Sequence, residues 1–213
     1  PTDDPVWIIN PKLTKTENYL ISFFGRANYN FDDRYMITAT LRYDGTSRFQ
    51  QNKWGLFPSV ALGWNIAREA FLRDSETVSA LKLRLSWGQT GQQDVAGDYP
   101  SIPTYMLNTD ASQYIFGNST IAPIKPQGYN NALKWETTTT YNAGIDYGFL
   151  NGRIYGSLDY YYRKTTDLLN FTPVPAGSNL TNYLNANIGT LVNQGVEFDF
   201  NAVAIQTRDW RWN

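Results

Sequence analysis

The stretch Arg34-Tyr-Met-Ile-Thr-Ala-Thr-Leu-Arg-Tyr-Asp44 decides the fold. Tyr35, Ile37, Ala39, Leu41 and Tyr43 fall on one side of an extended chain, and Thr38, Thr40, Arg42 and Asp44 on the other. Successive side chains of a strand point to opposite faces, so alternation of this length reads as a strand. Upstream, Leu20 to Tyr29 repeats the pattern, with Ile21, Phe23, Gly25, Ala27 and Tyr29 sharing a face. Asn30-Phe-Asp-Asp33 between the two stretches has turn chemistry, which makes them a hairpin.

Downstream the same period recurs. Phe57 to Ile66 alternates Val60, Leu62, Trp64 and Ile66 with Ser59, Ala61, Gly63 and Asn65. Pro58 is expected at the start of this strand, where a missing N–H is tolerated. Residues 68–80 predict a turn with a small helix, in which Ser75 caps a single turn ending near Val78. Leu81 to Gln89 is a further strand. Trp135 to Phe149 is the longest one, and Arg153 to Arg163 returns from it. Asn151-Gly152 between these two is a strong short-hairpin signal. Val196, Phe198 and Phe200 alternate again, Gln206 to Asp209 makes the last turn, and Trp210-Arg-Trp-Asn213 reads as the start of another strand.

The connections alternate in length. Those near 30–33, 67–80, 150–153 and 204–209 are mostly short, whereas those at about 45–56, 90–134 and 164–186 are long. Short turns at one end and long loops at the other are how outer-membrane barrels are built. The polar faces are Thr, Ser, Gly and Asn with scattered charges, unlike the strongly charged outer face of a soluble sandwich. Tyr29, Tyr35, Tyr43, Phe149 and Tyr162 sit near strand ends, as membrane girdles require. Charged residues make up only 17% of the 213 residues and aromatic residues 15%, which suits a wall between water and an apolar phase. No run approaches the length of a transmembrane helix, and Pro1 to Trp7 has neither the basic start nor the apolar core of a signal peptide.

Eighteen basic and 19 acidic residues give a formal net charge of -1, so no nucleic-acid partner is expected. There is no Cys and no His, which removes thiolate chemistry, the commonest metal ligand and the usual general base. Asp32 with Asp33 and Glu197 with Asp199 are read as lumen- or solvent-facing pairs rather than a hydrolytic couple. Asp94 and Asp98 are a loose candidate for a hard cation. Gly88-Gln-Thr-Gly91 lacks the Lys-Ser/Thr of a phosphate loop. No catalytic, cofactor or metal residue is expected.

The 90–134 connection is the longest irregular segment, and Pro100, Pro103, Pro123 and Pro126 punctuate it. Its charges between Thr90 and Leu133 are only Asp94, Asp98, Asp110 and Lys125. A neutral surface rich in Tyr, Asn, Gln and Ser suits an uncharged ligand. Tyr99, Tyr105, Tyr114 and Tyr129 are the candidate substrate or lid contacts, and the competing expectation is that they pack the loop on its neighbours.

Six stretches in order carry a family resemblance: Tyr35 to Phe49 (YMITATLRYDGTSRF); Trp54-Gly-Leu-Phe-Pro-Ser59 with Gly63-Trp-Asn65 and Glu69; Leu81-Lys-Leu-Arg-Leu-Ser-Trp-Gly-Gln-Thr-Gly91; Leu133-Lys-Trp-Glu136; Tyr160 to Leu169 (YYYRKTTDLL); and Asn187-Ile-Gly189 with Asn193-Gln-Gly-Val-Glu197. Across about residues 18–213 the chain resembles the C-terminal half of the barrel of SusC/RagA-type TonB-dependent outer-membrane transporters of Bacteroidetes. Tyr43 between Arg42 and Asp44, and Gln194 where Lys is common, are small departures.

The resemblance implies an all-β antiparallel meander, an arc of eight to ten strands within a barrel of about 22. It makes residues 1–213 a partial barrel domain without its plug. It further implies outer-membrane localisation, lipid contact, import of glycans or oligopeptides, a SusD-like surface lipoprotein as lid, and a TonB complex engaged through an N-terminal part. It implies no cofactor. The alternatives are a secreted carbohydrate-binding β-sandwich, which detergent dependence separates from the first reading, and a structural outer-membrane protein, which the parent's plug and TonB-contact sequence would separate.

Overall fold

The structure is a computed structural model. It describes residues 16–95, 97, 99–107, 114–121, 124–206, 208 and 210–212. The long strands are β1 (Leu20–Phe31), β2 (Tyr35–Thr46), β3 (Trp54–Asn65) and β4 (Val78–Gln92). Four three-residue strands follow: β5 (Tyr105–Leu107), β6 (Tyr114–Phe116), β7 (Ser119–Ile121) and β8 (Ile124–Pro126). Then come β9 (Glu136–Phe149), β10 (Ile154–Thr166), β11 (Leu169–Pro173), β12 (Tyr183–Asn187), β13 (Thr190–Ala202), β14 (Ile205–Gln206) and β15 (Arg211–Trp212).

Seven long strands form one antiparallel sheet in the order β1-β2-β3-β4-β9-β10-β13, and the short ones pair as β5-β8, β6-β7, β11-β12 and β14-β15. With the loop ribbons set aside, each long strand lies beside its neighbour in sequence: an open meander. Among the described residues no second long-stranded sheet faces it, which removes the sandwich alternative.

The register sorts side chains into two faces. Ile37 lies opposite Leu62, Leu62 opposite Leu85, Leu85 opposite Ala143 and Ala143 opposite Tyr160. One residue further along β2, the row reads Thr38, Ala61, Ser86, Asn142 and Tyr161.

The apolar face carries two aromatic bands. At the short-turn end Tyr35 stacks near Phe31 and Trp64, with ring centroids 6.4 and 6.5 Å apart, and Tyr147 lies beside Phe149 and Phe198. At the long-loop end Trp54 stacks on Tyr43 at 4.7 Å and near Phe23 at 6.3 Å. Tyr35 to Tyr43 is about 27 Å along a strand at roughly 3.4 Å per residue, or roughly 20 Å of bilayer height once a tilt of about 40° is allowed for.

Between the bands Ile37, Leu41, Leu62, Leu85, Ile145 and Leu158 are all exposed. Among the described residues the buried apolar side chains are only Phe49, Phe57, Leu133, Trp135 and Val203. An apolar face this extensive is far beyond the few hundred Å² that a water-soluble monomer exposes, so it belongs against an apolar phase. No described helix is long and apolar enough to cross a membrane.

Several sequence expectations change in detail. β3 begins at Trp54, which places Pro58 inside the strand. Its missing N–H coincides with the end of the β3-β4 ladder, whose first pair is Ser59 with Gly88. Residues 66–77 hold a 3-10 turn at Ile66–Arg68. The Ser75 hydroxyl does accept from the Val78 N–H, at 3.1 Å, but no helix follows, because β4 starts at Val78. The long connections carry three short ribbons, whose strands are too short for a period to show.

Candidate functional site

Above the Ser59–Gly88 pair, β3 stays with β2 and β4 stays with β9, so the wall splits. Aromatic rings fill the gap. Phe57 packs edge-on against Trp135 at 5.4 Å, and Phe49 does so at 5.9 Å. Leu133 completes the cluster, with Val95 and Leu169 against it. A Cβ on Gly91 would lie 2.0 Å from the Phe57 ring, so a residue without a side chain is needed there.

This plug of rings ties the three long connections together. The Trp135 indole donates to the Lys53 carbonyl at 3.1 Å, and Ser101 Oγ donates to the Arg48 carbonyl at 2.7 Å. Asn187 clasps the backbone of Lys134: its Oδ1 accepts from that N–H at 2.9 Å, and its Nδ2 donates to that carbonyl at 2.8 Å. The same Nδ2 donates to the Asp167 carbonyl, and the Glu136 carboxylate accepts from the Leu169 N–H at 3.0 Å. Backbone groups where loops meet strands need such partners, and Asn187, Lys134, Glu136 and Leu169 all lie in the stretches that carry the resemblance. Sequence reading gave no role to Asn187, Ser101 or Gly91; the place of Asn187 and Gly91 in those motifs was the available signal, and Ser101, outside them, had none.

A recess of about 600 Å³ on the polar face straddles the split, lined by Thr38, Thr40, Ser59, Thr90, Gln92 and Thr140 and by the Phe57 and Trp135 rings. Its one ion pair, Arg42 with Asp44 at 2.8 Å, is internally neutral. Toward the short-turn end Arg84 on β4 reaches Asp146 on β9 at 2.8 Å and Asp159 on β10 at 2.9 Å. Gly144 stands between Arg84 and Asp159 in the register, and a Cβ there would lie 2.2 Å from the Asp159 carboxylate. The face can therefore present neutral hydroxyl and amide groups near the loops and fixed charge lower down.

The four candidate tyrosines are placed differently. The Tyr99 hydroxyl accepts from the Glu17 N–H at 3.1 Å. Glu17 also accepts from the Tyr19 hydroxyl, which holds that phenol above its ordinary value, with desolvation adding to the shift. Tyr129 is half-buried, and its carbonyl accepts from Asn179 at 3.2 Å. Tyr105 on β5 and Tyr114 on β6 are strongly exposed. No hydrogen bond or ring contact joins any two of the four among the described residues. Asp94 pairs with Arg48 at 2.9 Å, and Asp98 lies outside the described residues. Asp32 and Asp33 pair with Arg34 and Arg68, and Asp199 accepts from Asn201.

A two-faced wall with clasped loops above one end has a counterpart among known proteins. The sequence profile described as "TonB dependent receptor-like, beta-barrel" matches residues 3–213. The chain belongs to this family, in its SusC/RagA branch. It is 51% identical over 199 residues to "TonB-dependent receptor SusC" of Bacteroides thetaiotaomicron, covering 93% of this chain and 20% of that protein. It is 38% identical over 209 residues to "TonB-dependent receptor P3" of Formosa agariphila, covering 96% and 20% respectively.

Among solved structures, "Structure of the RagAB peptide transporter" superposes with a TM-score of 0.78 at 30% identity, covering 91% of this chain and 21% of that one. The same importer in its 'open-open' state gives 0.79. The chain thus spans about a fifth of the length of these relatives. SusC/RagA proteins are outer-membrane transport machinery rather than enzymes, and this β-barrel segment belongs in the outer membrane.

Proposed function

We propose that residues 1–213 form part of the barrel wall of a TonB-dependent importer that carries glycans or oligopeptides across the outer membrane. The observation that carries this reading is the division of one sheet into a girdled apolar face and a polar face capped by clasped loops. The first gives a seat in lipid, the second a lining for a lumen. In this reading a plug domain, a TonB contact and a SusD-like lipoprotein lid belong to the working assembly. One relative's description as a peptide transporter supports oligopeptides. The neutral recess and the nearly uncharged 90–134 connection support uncharged ligands of either class.

The exposed Tyr105 and Tyr114 are then the residues free to meet substrate or lid, whereas Tyr99 and Tyr129 position the loop. The test is uptake of glycan and peptide pools by cells with the intact gene, without it, and with residues 105–125 deleted. Loss of uptake with the gene supports import. Unchanged uptake without it leaves a structural outer-membrane role instead. If the deleted form assembles and both uptake and lid association are unchanged, the loop only packs on its neighbours.

A further inference from the structure

The apolar face is not uniform. A shallow groove of about 310 Å³ runs between Tyr35 and Trp64 and is lined by Ile37, Leu62, Leu83 and Leu85. A second hollow of about 380 Å³ shares Leu62 and Leu85 with it and continues to Trp87 and Tyr141. Together they make one trough from the short-turn band toward the long-loop band.

The short-turn end of the trough is a built polar site. The Tyr35 hydroxyl and the Trp64 indole N–H both donate to Glu69 Oε1, at 2.6 and 3.0 Å. Arg34 reaches Glu69 Oε2 at 3.4 Å and lies 5.8 Å from the Tyr35 ring centre. Beside it Arg68 pairs with Asp33 at 2.8 Å, and Asp32 stands 2.9 Å from Arg34. Two guanidinium groups thus face three carboxylates at the level of an aromatic girdle, where lipid headgroups lie. The exposed half of this cluster is Arg68, Asp33 and Asp32.

We propose that this trough and the Arg34–Arg68–Glu69 cluster at its end form a specific site for one zwitterionic phospholipid with a primary ammonium headgroup. The site is continuous with the lipid-facing wall, so a lipid is the occupant already at hand. An acyl chain of one leaflet spans about half of a roughly 30 Å hydrocarbon core, and the trough follows the strands toward the membrane centre from Trp64 past Leu62 and Leu85 to Trp87. The surplus carboxylate selects the headgroup: an ammonium finds Asp32 or Asp33, a phosphate finds Arg68, and a purely anionic headgroup meets net repulsion. The inference goes beyond import and holds whether or not the barrel transports anything.

The test is native mass spectrometry of the full-length protein, delipidated in detergent and offered phosphatidylethanolamine, phosphatidylcholine and phosphatidylglycerol in turn. The site predicts one phosphatidylethanolamine retained through washing, at least fivefold over the other two. Glu69→Gln should erase this preference. Leu85→Phe, which fills the trough from a strand centre without touching the cluster, should lower retention of all three about fivefold. Equal retention of the three lipids by the unaltered protein overturns the proposal and leaves only unselective annular lipid. Retention unchanged by Leu85→Phe overturns the trough as the seat, even if Glu69→Gln fails to assemble.

Discussion

At the scale of single residues, two positions carry more than their size suggests. Gly144 lets Arg84 reach across β9 to Asp159. Gly144→Val should displace that pair and cost about 1–3 kcal/mol, the usual range for forced overpacking. Urea unfolding of the refolded full-length barrel reads this, and an unchanged midpoint would show that the bridge has room to move. Glu69 holds the polar tips of Tyr35 and Trp64. The hydrogen bond from Tyr35, then that from Trp64, keep its carboxyl below the ordinary carboxylate value against desolvation, with Arg34 assisting. A carboxylate whose folded value is depressed stabilises above its unfolded value, and the effect is lost as pH falls through the folded one. Trp64 fluorescence should therefore stay flat above about pH 5 and change only below the ordinary carboxylate range. In Glu69→Gln that acid transition should be absent.

At the scale of elements, strands were legible wherever one face stayed apolar for five or more alternations, as in Tyr35–Thr46 and Glu136–Phe149. The Asn151-Gly152 turn was legible because Asn and Gly accept positive φ, and the structure has 54° and 78° there, within a four-residue connection between Phe149 and Ile154 in which Leu150 is also at positive φ. The β5–β8 and β6–β7 ribbons were not legible, since three residues give no period. Pro58 misled the strand start because its tolerance comes from the neighbouring ladder, which a single sequence does not display. The loop clasp was hidden for the same reason: Asn187 and Lys134 are 53 residues apart. Asn187→Ala removes the clasp on the Lys134 backbone and the Asp167 carbonyl, a loss of about 0.5–1.5 kcal/mol because water reaches the Lys134 groups. Limited proteolysis of the assembled protein should then cut within 93–135 or 167–189 while the strands stay protected. An unchanged cleavage pattern would show that the Phe49–Trp135 cluster suffices to hold the loops.

At the scale of the whole molecule, function turns on which face meets lipid and which end meets the outside. Antiparallel neighbours put the turns at 32–34 and 150–153 at one end, and the connections 47–53, 93–135 and 167–189 at the other. An epitope placed between Asn151 and Gly152 should be unreachable on intact cells and reachable once the outer membrane is opened; labelling from outside would invert the topology. The chain has no cysteine, so an introduced one stands alone within it. The most direct measurement is a cysteine scan of positions 35 to 43 in the full-length protein in its membrane. A fluorophore on each is exposed in turn to a lipid-soluble and a water-soluble quencher. The account predicts strict alternation, with 35, 37, 39, 41 and 43 quenched from lipid and 36, 38, 40 and 42 from water. A uniform response along β2, or the opposite alternation, would contradict it.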